Sequence, residues 1–337
     1  MRKNMTDVLL LGAGFSKAIS SHMPLLEELS AELKDKIEEY NVPGDNVEHW
    51  MTYLSQTHPW LSESENLKNR ALFLDVTQNI KDIISRQTET TIREATECPS
   101  WLRNFMQFCV DRKLNIITLN YDTLLESAAQ LAVVEKDNRG NVETFQLDDI
   151  YPVPMTPGNK RRASIFLPYG EEVDSLKLFK LHGSVNWFYS GVLTSTGETI
   201  YYSGVKKWTS KRVSISENEV EKFLSDKVPL IVPPTIEKAS FFQHETIRAI
   251  WWLAGQAIQS AKRLVCIGYS LPEADLSFRF FLERNAPSNQ IPLYFVNRKQ
   301  ETSERYKRLL GKFYNVDDKY NGREVDERLM SELFPKT

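Results

Sequence analysis

The sequence predicts an α/β protein whose sheet is doubly wound and mostly parallel, with a helical insertion after the first strand–helix unit. Three observations predict it. Short apolar runs alternate with stretches of helical periodicity. Each apolar run stops at a glycine, a proline or a small polar cluster. One long segment after the first turn keeps helical spacing with no strand-like interruption.

Taken in order, DVLLL at 7–11 ends at Gly12 and reads as a strand buried on both faces. Residues 14–20 open a helix. From Pro24 to Cys98 the pattern is helical, first in LLEELSAELKDKIEEY and then in NLKNRALFLDVTQNIKDIISRQ. This divides the chain into an insertion at 24–98 and a sheet domain formed by 1–23 and 99–337. An amphipathic stretch, WLRNFMQFCVDRK, precedes the strand LNIITL at 114–119, and a helix follows at 123–134. Residues 138–175 hold several Pro and Gly and read as an irregular loop region. LKLFKLHGSVNWFYSG predicts a strand, a glycine turn and a second strand, and 192–215 reads as a hairpin. VPLIVPP is a further strand. A helix bearing Trp251 and Trp252 leads to the strand RLVCIGY, another helix to the strand PLYFVN, and the polar C-terminal stretch reads as helical. Strands alternating with helices in this way describe a Rossmann-like sheet.

Composition narrows the function classes. With 41% hydrophobic and 26% charged residues, the 337-residue chain can bury a sizeable core without staples. A formal charge of −3 gives no general reason to bind nucleic acid, and the basic clusters at 160–162, 206–207 and 211–212 read as solvated loops. Three scattered cysteines, Cys98, Cys109 and Cys266, do not make a disulfide framework, and the absence of a CxxC pair excludes a zinc ribbon. Five dispersed histidines without HxH or HExxH argue against a catalytic metal. The opening MRKNMTDVLLLGAG lacks a signal-peptide pattern, and no run reaches the ~20 apolar residues that span a bilayer, so the expected setting is the cytoplasm.

The chemistry-bearing clusters sit at strand ends: GAGFS (12–16), TLNYD (118–122), LHGS (181–184), VPP (232–234), GYSLPEAD (268–275) and VNRK (296–299). Open α/β sheets bind ligands outside the carboxyl ends of their strands, so all six converge on one crevice. Gly12 and Gly14 suit a tight turn and close backbone approach to a pyrophosphate, although Lys17 breaks the GxGxxG fingerprint. Ser16 can donate to a phosphate or cap the helix. Asn120 can bond a ribose hydroxyl, a carboxamide or an attacking water, and Asp122 can hold the nicotinamide amide or orient Asn120. Both residue types also serve as plain turn formers. His182 alone among the histidines stands between a strand end and a glycine, where an imidazole can take a proton near neutral pH. Tyr269 and Ser270 suit a phosphate or ribose, Asp275 the cap of the next helix, and Asn297 an adenosine.

The ordered set GAGFS, LNYD, LHGSVNW, GYSLPEAD and VN resembles the sirtuin superfamily, and its wording is similar to the divergent bacterial sirtuin-like group that includes NAD-consuming effectors of anti-phage defence. The resemblance implies that Gly12, Ala13, Gly14, Phe15 and Ser16 hold the pyrophosphate of NAD. It places Asn120 and Asp122 at the nicotinamide ribose, His182 as general base, and Gly268, Tyr269, Ser270 and Asn297 around the adenosine half. The chain departs from deacylating sirtuins in lacking their four-cysteine zinc module, in carrying Leu119 where they have Gln, and in offering no match for their acyl-lysine segment. The activity this implies is hydrolysis of NAD to nicotinamide and ADP-ribose without a metal. The alternatives are an NAD-dependent protein deacylase and a non-enzymatic subunit binding NAD or ADP-ribose. A homo-oligomer is expected, with a separate HerA-type ATPase or an Argonaute as a possible partner. The insertion, with Trp50 and Trp60 read as exposed, is one expected contact surface.

Overall fold

A computed structural model describes residues 6–95, 97–136, 142–144, 147–157, 175–191, 200–208, 227–235, 242, 244–273 and 275–335. Strand β1 (Val8–Leu11) leads into helix α1 (Ala13–Ile19). Helices α2 (Leu26–Glu39), α3 (Val47–Ser55) and α4 (Glu63–Glu94) follow with no strand between them. Alternation resumes with α5 (Ser100–Asp111), β2 (Asn115–Thr118) and α6 (Leu124–Ala129). Small elements come next: β3 (Val133–Lys136), β4 (Val142–Thr144), α7 (Leu147–Ile150) and β5 (Thr156–Pro157). Then come β6 (Lys177–Lys180), β7 (Gly183–Tyr189), β8 (Tyr201–Tyr202), β9 (Val228–Ile231) and α8 (Glu245–Gln259). The chain closes with β10 (Leu264–Ile267), α9 (Leu276–Arg284), β11 (Pro292–Val296), α10 (Thr302–Leu310), β12 (Asn315–Asp317) and α11 (Glu327–Leu333).

Six strands make one parallel sheet in the order β12-β11-β10-β1-β2-β6. The chain runs outward from β1 through β2 to β6, then crosses back to β10 and continues the other way. The order therefore reverses between β1 and β10, and the crevice of a doubly wound sheet opens there, above the strands' carboxyl ends. Every residue of β1 and β10 is buried, as parallel strands covered on both faces require. Each such Leu, Val or Ile removed from water contributes about 1.5–3 kcal/mol. Helix α5 buries Leu102, Phe105, Met106, Cys109 and Val110 at helical spacing, and Phe15 of α1 meets the rings of Trp101 and Phe105 at 5.7 and 5.5 Å. Helix α8 packs against β2 and β6. A second sheet, β5-β8-β7-β9, lies against α4.

The helical insertion forms as α2–α4, but its two tryptophans part company. Trp60 is 71% exposed, whereas Trp50 is buried, on the same face of α3 as Val47, Met51 and Leu54, with its indole N–H donating to Gly44 O at 2.8 Å. The expectation of an exposed Trp50 is therefore wrong; its i−3, i+1 and i+4 neighbours marked a core face. The C-terminal stretch holds one strand, β12, besides its helices. It is an edge strand of one exposed and two half-buried residues, too short for an apolar run. Of the expected loop at 138–175, residues 138–141, 145–146 and 158–174 lie outside the described residues, as do 192–199 and 209–215 of the expected hairpin at 192–215. No described helix is long and apolar enough to cross a membrane.

Candidate active site

Three glycines interlock at the switch point. Gly12 N–H donates to Ile267 O at 3.0 Å, and Gly14 N–H to Gly268 O at 2.9 Å. A Cβ on Gly12 would stand 2.7 Å from Gly268 O, and one on Gly14 2.8 Å from Gly268 Cα. Gly268 has φ +69° and would bring a Cβ to 2.1 Å from Phe15 N, so any side chain there is excluded twice over. Gly12, Ala13, Gly14 and Gly268 thus share one spot, as their places at the ends of β1 and β10 suggested. Ala13 is exposed and Gly14 and Gly268 are half-buried, so this backbone knot is open to solvent on one side. The Phe15 ring turns instead into the core, and its N–H is taken by Gly12 O at 2.9 Å.

The end of β2 is tied to this knot by side chains. Thr118 Oγ1 donates to Leu11 O at 3.0 Å and accepts Asn120 N–H at 3.1 Å. The Asn120 amide nitrogen donates to Gly12 O at 2.9 Å and to Ser16 Oγ at 2.8 Å. Ser16 Oγ in turn donates to Asp122 Oδ2 at 2.6 Å, and Asp122 Oδ1 accepts Leu124 N–H at 3.1 Å. A hydroxyl that accepts from an amide while donating to a carboxylate is polarised in both directions. Ser16 is therefore not the helix cap, a place held by Gly12; its hydroxyl donates to Asp122. With both hydrogens of Asn120 engaged, Oδ1 is the amide atom left to meet a ligand, and the residue is half-buried.

Behind Asp122 stands a buried ion pair that the sequence reading missed. Lys180 Nζ donates to Asp122 O at 2.5 Å and to Glu126 Oε1 at 2.8 Å, with the lysine side chain 1% and the glutamate side chain 0% exposed. Tyr151 O–H also donates to Glu126 Oε1, at 3.2 Å. A lysine closing an apolar run, KLFK, was the available signal. Its partner lies on another element, α6, and no local pattern announces it.

On the other side, register pairs Thr118 with Lys180, so Asn120 and His182 each stand two residues beyond adjacent parallel strand ends. They leave the same edge of the sheet. His182 is buried, with its ring centroid 6.4 Å from that of Tyr121 and 6.3 Å from that of Trp251. Its carbonyl accepts Val232 N–H at 2.8 Å. Gly183, φ +75°, would place a Cβ 2.1 Å from Leu230 O, which explains the His-Gly pair at this turn. Trp251 Nε1–H donates to Leu181 O at 2.9 Å, and Tyr121 O–H to Val232 O at 2.7 Å. Burial, then the charges of Asp275 and Glu48, pushes the Tyr121 phenol well up, so it remains a donor and takes no part in acid–base chemistry near neutrality. Burial also raises the Cys98 and Cys266 thiols to about 12, which removes them as thiolate nucleophiles.

The residues expected around an adenosine are more dispersed. Tyr269 is buried, donating from its hydroxyl to Asp275 Oδ2 at 3.0 Å and accepting Tyr306 O–H at its carbonyl at 2.9 Å. Asp275 occupies the cap position of α9 without a side-chain cap bond; its carboxylate serves Tyr269. Arg305 donates to Ser270 O at 3.0 Å. Asn297, beyond β11, accepts Lys299 N–H at 3.0 Å in its own turn, farther from Asn120 and His182 than the β10 residues by one strand.

The SIR2-like domain family matches residues 114–317, from the start of β2 to the end of β12. The chain belongs to the SIR2-like family. The matched stretch of this SIR2-like chain carries Asn120, Asp122, His182, Gly268 and Asn297, while β1, its glycines and the insertion precede it. No curated protein sequence matches the chain. A crystal structure of Sir2 in complex with the inhibitor EX-527, 2'-O-acetyl-ADP-ribose and deacetylated p53-peptide is similar over 97% of this SIR2-like chain and 92% of that one, at 14% identity and a TM-score of 0.40.

Proposed function

We propose that this SIR2-like protein binds NAD+ across the β1–β10 switch point and hydrolyses its nicotinamide–ribose bond to nicotinamide and ADP-ribose. The observation that carries the reading is the chain Asn120–Ser16–Asp122 beside His182 at the neighbouring strand end. Solvent-facing backbone at Ala13, Gly14 and Gly268, with no room for a Cβ at either glycine, suits a pyrophosphate. Breaking a bond to cationic nicotinamide develops positive charge on the ribose, which a fixed carboxylate such as Asp122 stabilises through its field. Asn120 Oδ1 orients a ribose hydroxyl or the attacking water by accepting its hydrogen. Water oxygen bonds to the anomeric carbon as the carbon–nitrogen bond breaks, its electron pair neutralises the nicotinamide ring, and His182 takes the proton. Such an activity drains the host's own NAD, so it needs gating; a role in anti-phage defence, with a partner as trigger, fits that need.

Purified protein is incubated with NAD+ and nicotinamide is followed by chromatography. The expected result is nicotinamide with free ADP-ribose, and kcat lower by about 10²–10⁴-fold in Asn120→Ala and in His182→Ala. O-acyl-ADP-ribose formed with an acylated peptide would establish a deacylase instead, and NAD+ binding without turnover a regulatory subunit. Full activity in both variants would remove the assignment of either residue.

A further inference from the structure

His182 lies at the bend between β6 and β7, and residues on either side of it reach back to the segment that carries Asn120 and Asp122. Before the bend, Lys180 Nζ donates to Asp122 O and to Glu126 Oε1. After it, Ser184 Oγ and Val185 N–H donate to Tyr121 O at 3.2 and 3.0 Å. Farther along β7, Asn186 Nδ2 donates to Ser203 O at 3.1 Å and makes a longer bond, 3.5 Å, to the Tyr151 hydroxyl oxygen. That hydroxyl donates at 3.2 Å to Glu126 Oε1, the same oxygen that receives Lys180. Strands β6 and β7 therefore meet at one buried centre, in which Tyr151 is 3% and Glu126 0% exposed. The Tyr151 ring stands edge to face with Trp187 at 5.3 Å and with Tyr202 at 6.0 Å. Burial, then the charge of Glu126, pushes the Tyr151 phenol well up, so the hydroxyl keeps its proton and stays a donor.

We infer that Tyr151 and Asn186 are positioning residues: with Glu126 and Lys180 they close a brace that sets the distance between the His182 bend and the Asn120–Asp122 turn. What the two turns do chemically rests on the hydrolase reading. The ring of His182 is held by its aromatic neighbours, and the brace fixes the backbone beneath it. Bonds from an ammonium and a phenol to one carboxylate oxygen are charge-assisted and directional, so the centre is stiff. Placing a water between an amide and an imidazole depends on that stiffness, because a displacement of about 1 Å costs on the order of 10²-fold in rate.

A chain carrying isotope-labelled histidine tests the brace by nuclear magnetic resonance without NAD+, so its failure and the failure of the hydrolase reading are distinguishable. The ring resonance of His182 is assigned by its loss in His182→Gln. Tyr151→Phe deletes only the hydroxyl and is expected to shift that resonance, and to lower kcat for nicotinamide release by about tenfold with KM unchanged. Asn186→Ala loosens the centre from the β7 side and is expected to shift the resonance as well, which decides the matter if Tyr151→Phe does not fold. Tyr314→Phe is the control: it removes another buried hydroxyl, bonded to Leu282 O at 2.8 Å beside β12 at the opposite edge of the sheet. It is expected to lower stability alike while leaving the resonance and kcat at wild-type values. An unshifted resonance in either folded variant overturns the proposal, and so does a wild-type kcat in Tyr151→Phe. A control that moves the resonance or kcat equally overturns it too, since any buried hydroxyl would then serve. A wild type without turnover removes the hydrolase reading, and the resonance alone then decides the brace.

Discussion

The two walls of the candidate site are built on opposite principles. The amide wall, from β1 and β2, is wired: Asn120, Ser16 and Asp122 are fixed by hydrogen bonds to one another, and Lys180 and Glu126 fix Asp122 from behind. The imidazole wall, from β6 and α8, is packed: His182 lies between the rings of Tyr121 and Trp251, each of which anchors itself on a neighbouring carbonyl. A wired wall fixes direction, which an amide needs if one oxygen is to meet one hydroxyl. A packed wall fixes the position and tilt of an imidazole ring through the shape of its neighbours. Directional control concentrates energy in a few buried polar atoms, so the amide wall is the one that single substitutions damage most.

The largest effect is expected at Lys180. Lys180→Met strips the ammonium from Glu126, whose second carboxylate oxygen is buried with no partner among the described residues. Breaking a buried pair from one side costs about 3–5 kcal/mol, because a charge is left stranded. Urea unfolding measures it, and the double variant Lys180→Met with Glu126→Leu is expected to regain most of the loss. A single variant as stable as the wild type would show that the pair is not what holds Asp122.

Ser16→Ala comes next. It removes the donor to Asp122 Oδ2 and the acceptor for Asn120 together, for about 1–3 kcal/mol of stability. On the hydrolase reading kcat falls with little change in KM, since the binding backbone at Gly12, Gly14 and Gly268 is untouched. Ser16→Thr, which keeps a hydroxyl, is expected to restore part of kcat. Equal loss in both variants would mean that Ser16 acts through packing and that the wiring is incidental.

The contrast between the walls also explains what the sequence made legible. Strands buried on both faces announce themselves as VLLL and LVCI, and the glycines that stop them are dictated by backbone contact, so the sheet and the shared edge of Asn120 and His182 could be read in advance. Wiring could not. The partner of Lys180 lies on α6 and that of Ser16 beyond β2, and such long-range pairs leave no periodic trace in the chain. Ser16 therefore read as a phosphate donor or a cap although its hydroxyl serves Asp122. Edge strands fail for another reason: β12 is three residues long and half-exposed, with no apolar run to betray it. Trp50 was legible but misread, because its helix-spaced neighbours Val47, Met51 and Leu54 were the stronger signal.

The smallest and most discriminating effect is expected at Trp251. Trp251→Phe keeps an aromatic ring against His182 and deletes only the indole N–H that donates to Leu181 O. One neutral hydrogen bond to a backbone carbonyl contributes about 0.5–1.5 kcal/mol, and part of that returns if water reaches the half-buried site. If the imidazole wall is held by packing, the variant loses no more than this in urea unfolding, and nicotinamide release falls by less than tenfold. Trp251→Ala, which removes the ring as well, is then expected to cost several-fold more on both measurements. Should Trp251→Phe cost as much as Ser16→Ala, the imidazole wall is wired like its opposite, and the division of labour between the walls does not hold.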